Sequence, residues 1–309
     1  MIITLTLNPA IDKTLTLASF DPHKMNRALL STQDPGGKGI NVSKVIHALS
    51  GKSTAMGIIG GSAGEFIQSN LSDKGIDTDF LHISDETRIN LKIFCKDNQE
   101  TIEVNESGPH ISEETLEQLK ANLFEKLETG TICVVSGSVP IGVDKGFYKE
   151  LIAQMKARGA IVILDADGEL FKQAIHAKPD YIKPNLKELE AYFDKTVKTY
   201  EDFKACGRYF LELGIPNVIF SLGSEGAFYM NSEAAYLAHP LKIEAHSSVG
   251  AGDAFVGALA YSIEKKLTVT DSLQLAIATS AGAVMTVGTN PADLPWIEAH
   301  KHQVIVEKI

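Results

Sequence analysis

The chain has 309 residues, 44% of them hydrophobic and 22% charged, a composition that allows a sizeable core and shows no sign of disorder. Its formal net charge of -10 argues against a broad nucleic-acid or anionic-membrane surface, because either needs a basic face to displace counterions. The three cysteines, Cys95, Cys133 and Cys206, are far apart and lack a C-x-x-C pair, which suggests neither a disulfide framework nor a zinc site and fits a reducing cytoplasm.

The run Met1-Ile2-Ile3-Thr4-Leu5-Thr6-Leu7 has no basic leader and alternates in apolar character, so it reads as a strand entering the fold. No later stretch is long and apolar enough to span a bilayer. Asp12 ends Asn8-Pro9-Ala10-Ile11-Asp12, where a carboxylate accepts bonds from ligand hydroxyls or simply forms a turn. Gly36-Gly37-Lys38-Gly39-Ile40-Asn41-Val42 then opens a helix through Val45, Ile46 and Leu49. Glycines at 36 and 37 let a ligand approach the backbone, Lys38 can neutralise a phosphate, and Asn41 can bond hydroxyls; an ordinary helix start is the plainer alternative.

Two nearby runs are decoys. Gly51-Lys52-Ser53 has Ile46 where a P-loop needs its first glycine, and it follows a helix. Gly57-Ile58-Ile59-Gly60-Gly61-Ser62-Ala63-Gly64 has the wrong spacing for a dinucleotide fingerprint, which disfavours a nicotinamide enzyme.

Segments of roughly 10–35 and 86–107 break the rhythm seen elsewhere. In the second, Asn90-Leu91-Lys92-Ile93-Phe94 and Thr101-Ile102-Glu103-Val104 flank the turn Lys96-Asp97-Asn98-Gln99 and predict a hairpin. These strands are expected to form a small β lid over one edge of the core. Strand alternation puts Arg88, Asn90 and Lys92 on one side of it, where Arg88 could grip a phosphate in a bidentate fork; a solvated outer face is the alternative.

From residue 113 onward strands alternate with amphipathic helices. The clearest unit is Ile132-Cys133-Val134-Val135, a helix burying Phe147, Leu151, Ile152 and Met155, and Ile161-Val162-Ile163-Leu164. Similar units involve Leu116 to Leu127 and the helix 201–213 before Asn217-Val218-Ile219-Phe220. Strand, helix, strand with short links predicts a doubly wound α/β core with a parallel sheet covered on both faces. Asn185 and Glu188, three apart on a helical first turn, can face one ion or can cap the helix. Lys183 could reach a phosphate or end a strand in solvent. Finally, Gly250-Ala251-Gly252 frees backbone amides at a helix start, with Asp253 beside them in the first turn: an anion site next to a proton acceptor, or an acid placed merely to suit the helix dipole.

The Gly36 to Val42 motif, Ser136-Gly137-Ser138-Val139-Pro140, Lys183-Pro184-Asn185-Leu186-Lys187-Glu188, Ser221-Leu222-Gly223-Ser224-Glu225-Gly226-Ala227 and Val249 to Asp253 occur in the order seen in ribokinase-like (PfkB) carbohydrate kinases, which the chain resembles over nearly its whole length. The resemblance implies one ribokinase-like kinase domain over 1–309, with a three-layer α/β/α core and a β-sheet lid. Substrates would be a sugar phosphate and ATP with Mg²⁺. Asp253 matches the catalytic base and Gly250, Ala251 and Gly252 its anion hole. The nucleotide would be held by Lys183, Asn185, Ser221, Leu222, Gly223, Ser224, Glu225, Gly226, Ser248, Val249 and the Gly250 to Gly252 amides, with magnesium organised by Asn185 and Glu188. The sugar phosphate would meet Asp12, Gly37, Lys38, Asn41, Arg88, Asn90, Lys92, Ser136 and Ser138.

Thr87-Arg88-Ile89-Asn90-Leu91-Lys92 is similar to the corresponding segment of the 1-phosphofructokinase branch, which implies phosphorylation of fructose 1-phosphate at C6. The tagatose-6-phosphate kinase and minor 6-phosphofructokinase branches share most other motifs. Met25 departs from the pattern, standing where relatives can place a lid lysine or acid. A non-catalytic sugar-phosphate sensor is the reading from another class, and the intact Asp253 and Asn185 to Glu188 elements speak against it. Lid strands in this family often pair between subunits, which implies a homodimer.

Overall fold

The structure is a computed structural model that describes residues 1–244, 249–286 and 288–309. Its strands are β1 (Ile2–Thr6), β2 (Ala10–Leu17), β3 (Leu30–Gly36), β4 (Thr54–Gly60), β5 (Asp77–Ile83), β6 (Arg88–Cys95), β7 (Thr101–Asn105), β8 (Ile132–Ser136), β9 (Ile161–Asp165), β10 (Tyr181–Ile182), β11 (Asn217–Ser221), β12 (Ala227–Asn231), β13 (Ala235–Ala238) and β14 (Val306–Lys308). The helices are α1 (Lys38–Ala48), α2 (Gly61–Asp73), α3 (Glu113–Glu125), α4 (Phe147–Ala157), α5 (Gly168–Ala174), α6 (Leu186–Phe193), α7 (Tyr200–Glu212), α8 (Ala251–Glu264), α9 (Val269–Ala283) and α10 (Leu294–His300).

The large sheet has the order β14-β13-β12-β11-β10-β9-β8-β1-β4-β5. From β11 to β5 every neighbouring pair is parallel. The expected parallel core is therefore present, and it is extended by an antiparallel edge of β12, β13 and β14 that the strand-helix rhythm does not announce. Strand β8 shows why helices cover both faces. Cys133 and Val135 pack with Leu119 of α3 and Leu151 of α4, whereas Ile132 and Val134 pack with Val42 of α1 and Leu259 of α8. The alternating run in β1 would suit one wet face, yet all five residues are buried. Thr4 is accommodated because its hydroxyl bonds Ser43 Oγ at 2.7 Å, so the polar group loses water without losing a partner.

Residues 10–36 and 88–105 build a separate four-stranded sheet, β3-β2-β6-β7. Its hairpin β6–β7 turns at 96–99, as the sequence predicts, and β2 runs parallel to β6 with Asp12 opposite Asn90 and Thr14 opposite Lys92. Among the described residues no helix is long and apolar enough to cross a membrane. All three cysteines are free and buried.

One close approach sets the position of the carboxyl-terminal motif. A Cβ on Gly257 of α8 would lie 2.7 Å from Val45 Cβ and 3.1 Å from the Val42 carbonyl of α1, so only glycine lets these helices meet at this depth. Gly257→Val should cost roughly 2–3 kcal/mol through overpacking, beyond any gain in helix propensity. Urea unfolding measures this; an unchanged midpoint would show that the contact can relax.

Candidate active site

The parallel strands bring four polar residues to one end of the sheet. Thr6 and Ser136 end β1 and β8, Asp165 ends β9, and Lys183 follows β10. The carboxyl ends of strands in a doubly wound sheet open into the crevice where such folds bind ligands. Asp165 is 2% exposed and lies 3.5 Å from Lys38 Nζ and 3.3 Å from Lys183 Nζ. Burial alone would push its carboxyl up, but the two ammonium groups hold it below the ordinary carboxylate range. The same Asp165 charge, against the opposing effect of burial, raises Lys38 above its usual value. Asp165 is absent from the sequence expectations. Its signal is an acid directly after the apolar run of β9, at a strand end that the α/β pattern alone marks as a crevice.

Helix α8 begins at Gly250, whose φ of 83° is a left-handed conformation that favours glycine. Asp253 lies in the first turn and is 9% exposed. Asn41 Nδ2 donates to Asp253 Oδ2 at 2.8 Å. Burial first, and then the negative charge of Asp165, push the Asp253 carboxyl up to about 6, against the Asn41 bond and the two lysines. Two buried carboxylates on adjacent elements thus have opposed environments, one held ionised and one poised to exchange a proton near neutrality. A Cβ on Gly252 would lie 3.5 Å from Lys183 Nζ, which places that cation beside the amides of the helix start. Asn41, expected to orient a ligand, also gives one of its two N–H donors to Asp253.

Thr6, Lys38, Asn41 and Asp253 face a cleft of about 290 Å³ between the core and the smaller sheet, so that sheet is the wall the lid expectation describes. Of the expected ligand residues, Asp12, Gly37, Lys38, Asn41, Arg88, Asn90, Lys92 and Ser138 line it, together with Val249 and Asp253. Asp12 accepts a bond from Asn90 Nδ2 at 3.1 Å and pairs with Lys92 Nζ at 3.5 Å. Arg88 donates through Nε and Nη2 to the Asn8 carbonyl and through Nη1 to the Glu106 carbonyl. It is a brace as much as a free fork, keeping two of its five N–H donors for the cleft. Ser136 does not join them. It is fully buried and its hydroxyl has no hydrogen-bond partner. Thr6, Asn8, Glu103, Asn105, Gly137, Asp167 and Thr289 also line the cleft. Alternation along β7 could have found Glu103 and Asn105; Thr289 carries no local sequence signal. Thr6 Oγ1, Asn8 Oδ1, Asn41 Oδ1 and Asn90 Oδ1, all on residues that line the cleft, are buried without a hydrogen-bond partner.

The expected nucleotide segments meet beyond this cleft. The Ser221 amide donates to the Pro184 carbonyl at 3.2 Å and Ser221 bridges Asn185, so the turn 221–226 and the 183–188 motif are adjacent. Gly223, Ser224 and Glu225 are exposed in a short 3₁₀ turn, while Leu222 is buried in the core. Ser248 lies outside the described residues. Asn185 and Glu188 form a reciprocal capping box: Asn185 Oδ1 accepts the Glu188 amide and Glu188 Oε2 accepts the Asn185 amide, each at 2.9 Å. The Asn185 oxygen thereby gives one of its two lone pairs to the helix start. Glu188 keeps Oε1, and no group of three acidic, histidine or cysteine side chains that could cage a metal occurs among the described residues. This donor set fits Mg²⁺ in its usual manner, held by one carboxylate with waters and phosphate oxygens.

Known proteins match this arrangement throughout. The profile described as pfkB family carbohydrate kinase matches residues 5–297. A 1-phosphofructokinase from Borreliella burgdorferi is 34% identical over 310 residues, covering 100% of this chain and 99% of the relative. A tagatose-6-phosphate kinase from Staphylococcus epidermidis is 32% identical over 279 residues, covering 89% of each. The crystal structure of phosphofructokinase-2 from Escherichia coli in complex with fructose-6-phosphate superposes with a TM-score of 0.92 at 28% identity, covering 98% of both chains. An inhibited form of that enzyme is described as tetrameric.

The raised Asp253 pKa fixes the sign of a stability effect. The folded chain binds this proton more tightly than the unfolded chain, so the ionised carboxylate costs stability above about pH 6, and the cost vanishes as the pH falls through 3.8. A rise of that size corresponds to on the order of 3 kcal/mol. Asp253→Asn keeps an acceptor for Asn41 and removes the charge, so its melting temperature should exceed that of the parent at pH 8 and match it at pH 4. A lower melting temperature at pH 8 would show that the ionised form is better solvated than its burial implies.

Proposed function

The chain belongs to the pfkB family of carbohydrate kinases, for which ATP is the implied phosphoryl donor, and from that premise we propose that it transfers the γ-phosphoryl group of ATP to the C6 hydroxyl of fructose 1-phosphate, giving fructose 1,6-bisphosphate and ADP. The observation that carries the reading is Asp253, a buried carboxylate at a helix start whose pKa is raised to about 6, lining the same cleft as Lys38, Arg88 and Lys92. Lys38, Lys92 and the remaining donors of Arg88 hold the existing phosphate, and Asp12 and Asn90 orient the ring. Asp253 takes the proton of the attacking hydroxyl, and the amides after Gly250 with Lys183 stabilise charge on the transferring oxygens. Glu188 would hold magnesium, which neutralises the ATP phosphates when bound. The smaller sheet closes the cleft against water, the competing acceptor.

We further infer a homodimer through that sheet. Along β7, Glu103 and Asn105 face the cleft, while Ile102 and Val104 lie exposed on the opposite face, and Met25, Leu29 and Leu30 are exposed on the same sheet or its connection. Val104→Asp should shift sedimentation from dimer toward monomer; a parent chain that sediments as a monomer removes the inference.

Turnover should be greatest, as kcat/KM, on fructose 1-phosphate in a panel with fructose 6-phosphate and tagatose 6-phosphate, and preference for tagatose 6-phosphate would reassign the substrate. The rate should fall about tenfold per unit as the pH drops below about 6, because the base is then protonated. Asp253→Asn should lower kcat by a factor on the order of 10²–10⁴ with nucleotide binding retained. Near-normal turnover in that variant rules out the proton transfer described.

A further inference from the structure

Lys44 has no part in the reaction just described, yet it is 4% exposed and carries a charge. It lies on α1 two turns after Lys38 and one after Asn41, on the helix that delivers both to the cleft. Its Nζ donates to the Pro35 carbonyl of β3 at 3.0 Å and to Thr289 Oγ1 at 3.0 Å. Burial pulls its ammonium down to about 8, against the nearby charge of Asp34, so the interaction is kept at a real desolvation cost.

Each partner leads to one wall of the cleft. Pro35 precedes Gly36, where a Cβ would lie 2.7 Å from Asp12 Cγ, so the path of β3 sets how closely the smaller sheet presents Asp12. Thr289 packs on the other wall. Its Cα, Cβ and Cγ2 lie 3.7–3.9 Å from where a Cβ of Gly250 would be, against the residue whose left-handed turn starts α8 and aims the following amides and Asp253. Thr289 itself lines the cleft. A single buried ammonium therefore joins the ligand-facing sheet, α1 and the start of the anion-binding helix.

We propose that Lys44 is a positioning residue for phosphoryl transfer, a tie that holds the smaller sheet and the Gly250 turn in register so that a sugar hydroxyl gripped by one meets the base and amides carried by the other. The proposal rests on the kinase reading for its kinetic consequence and on geometry alone for the tie. A pure packing role would lower stability everywhere and leave the balance between binding and turnover unchanged. A tie between two walls instead lowers turnover more than affinity, because each wall still binds its own ligand while their mutual placement is lost.

Lys44→Met keeps the side-chain length and removes the donors. It should lower kcat about tenfold to a hundredfold while the KM values for ATP and the sugar phosphate stay within about threefold. Amide hydrogen exchange should quicken at residues 31–36 and at 250–254, with α9 unaltered. Lys44→Arg, which keeps a charged donor, should recover part of kcat. Thr289→Val removes only one acceptor. It should reproduce the loss at 250–254 and add little to Lys44→Met in the double variant, and it carries the test if Lys44→Met does not fold. Unchanged exchange at both segments overturns the tie. Uniformly faster exchange with kcat intact overturns the positioning role in favour of plain stability. A parent chain that turns over none of the three sugar phosphates overturns the function proposed above, whereas localised exchange changes in Lys44→Met would still support the tie.

Discussion

Asp165, Lys38 and Lys183 form a buried ion cluster, and the chemistry of the cleft follows from how its charge is shared. Two ammonium groups and one carboxylate leave an excess positive charge at the carboxyl ends of the strands, which a second buried carboxylate, Asp253, balances. The balance is uneven. Asp165 contacts both lysines directly and stays ionised, while Asp253 receives their influence at second hand and feels Asp165 as a like charge. One acid is spent on holding the cations, and the other is left close to the pKa a general base requires at neutral pH. If Asp165 were neutral, Asp253 would lose its like-charge neighbour and gain the lysines, becoming a weaker base, so Asp165 governs proton affinity at a residue it need not touch.

The scaffold converts that charge arrangement into fixed geometry through α1. Lys38, Asn41 and Lys44 follow one another at intervals of three along one side of this helix, and each crosses to a different element: Lys38 to Asp165 at the end of β9, Asn41 to Asp253 on α8, Lys44 to β3 and Thr289. Such contacts hold only if α1 cannot slide. On one side Gly39 packs so closely on β1 that a Cβ would lie 2.8 Å from the Leu5 carbonyl, and on the other Gly257 admits Val45. Small residues here do not confer flexibility; they remove the space in which the helix could shift. The buried, partly ionised Asp253 works against stability, and the apolar cluster of Val42, Val45, Ile46 and α8 is what offsets it.

Much of this was legible in the chain because the signals are local. The strand-helix-strand rhythm after residue 113, the hairpin at 86–107 and the glycine-led helix starts at 37 and 250 are each set by neighbours within a few residues, and the structure contains them all. Alternation along β6 correctly put Arg88, Asn90 and Lys92 on one face. What escaped depends on distant partners. Asp165 gains its meaning from Lys38, more than a hundred residues away, as well as from the nearer Lys183, Thr289 gains it from the distant Lys44, and Asn41 takes on support of the base because Asp253 lies within reach. Asn185 and Glu188 show the converse, since their reciprocal cap is set by residues only three apart and is legible from the chain alone.

The two sheets divide the work along the same lines. Everything proposed to act on the transferring group comes from the core, whose strands are buried on both faces and whose register is correspondingly strongly set. In the proposed reading, the residues that separate one ketohexose phosphate from another come from β2, β6 and β7, where one face meets the cleft and the other is partly exposed, with Ile11 and Ile89 packed on the apolar cluster of α2. In such a sheet a slip of one residue would turn Ile89 and Leu91 into the cleft and Arg88, Asn90 and Lys92 away from it. The parallel pairing of β2 with β6 prevents this, because it places Asp12 beside Asn90 and Lys92 and so rewards a single register with a hydrogen bond and an ion pair at partly buried positions. The polar contacts proposed to choose the sugar are therefore also the contacts that align the sheet. Substrate preference can change by substitution within that face, but each such change also acts on the register that presents it.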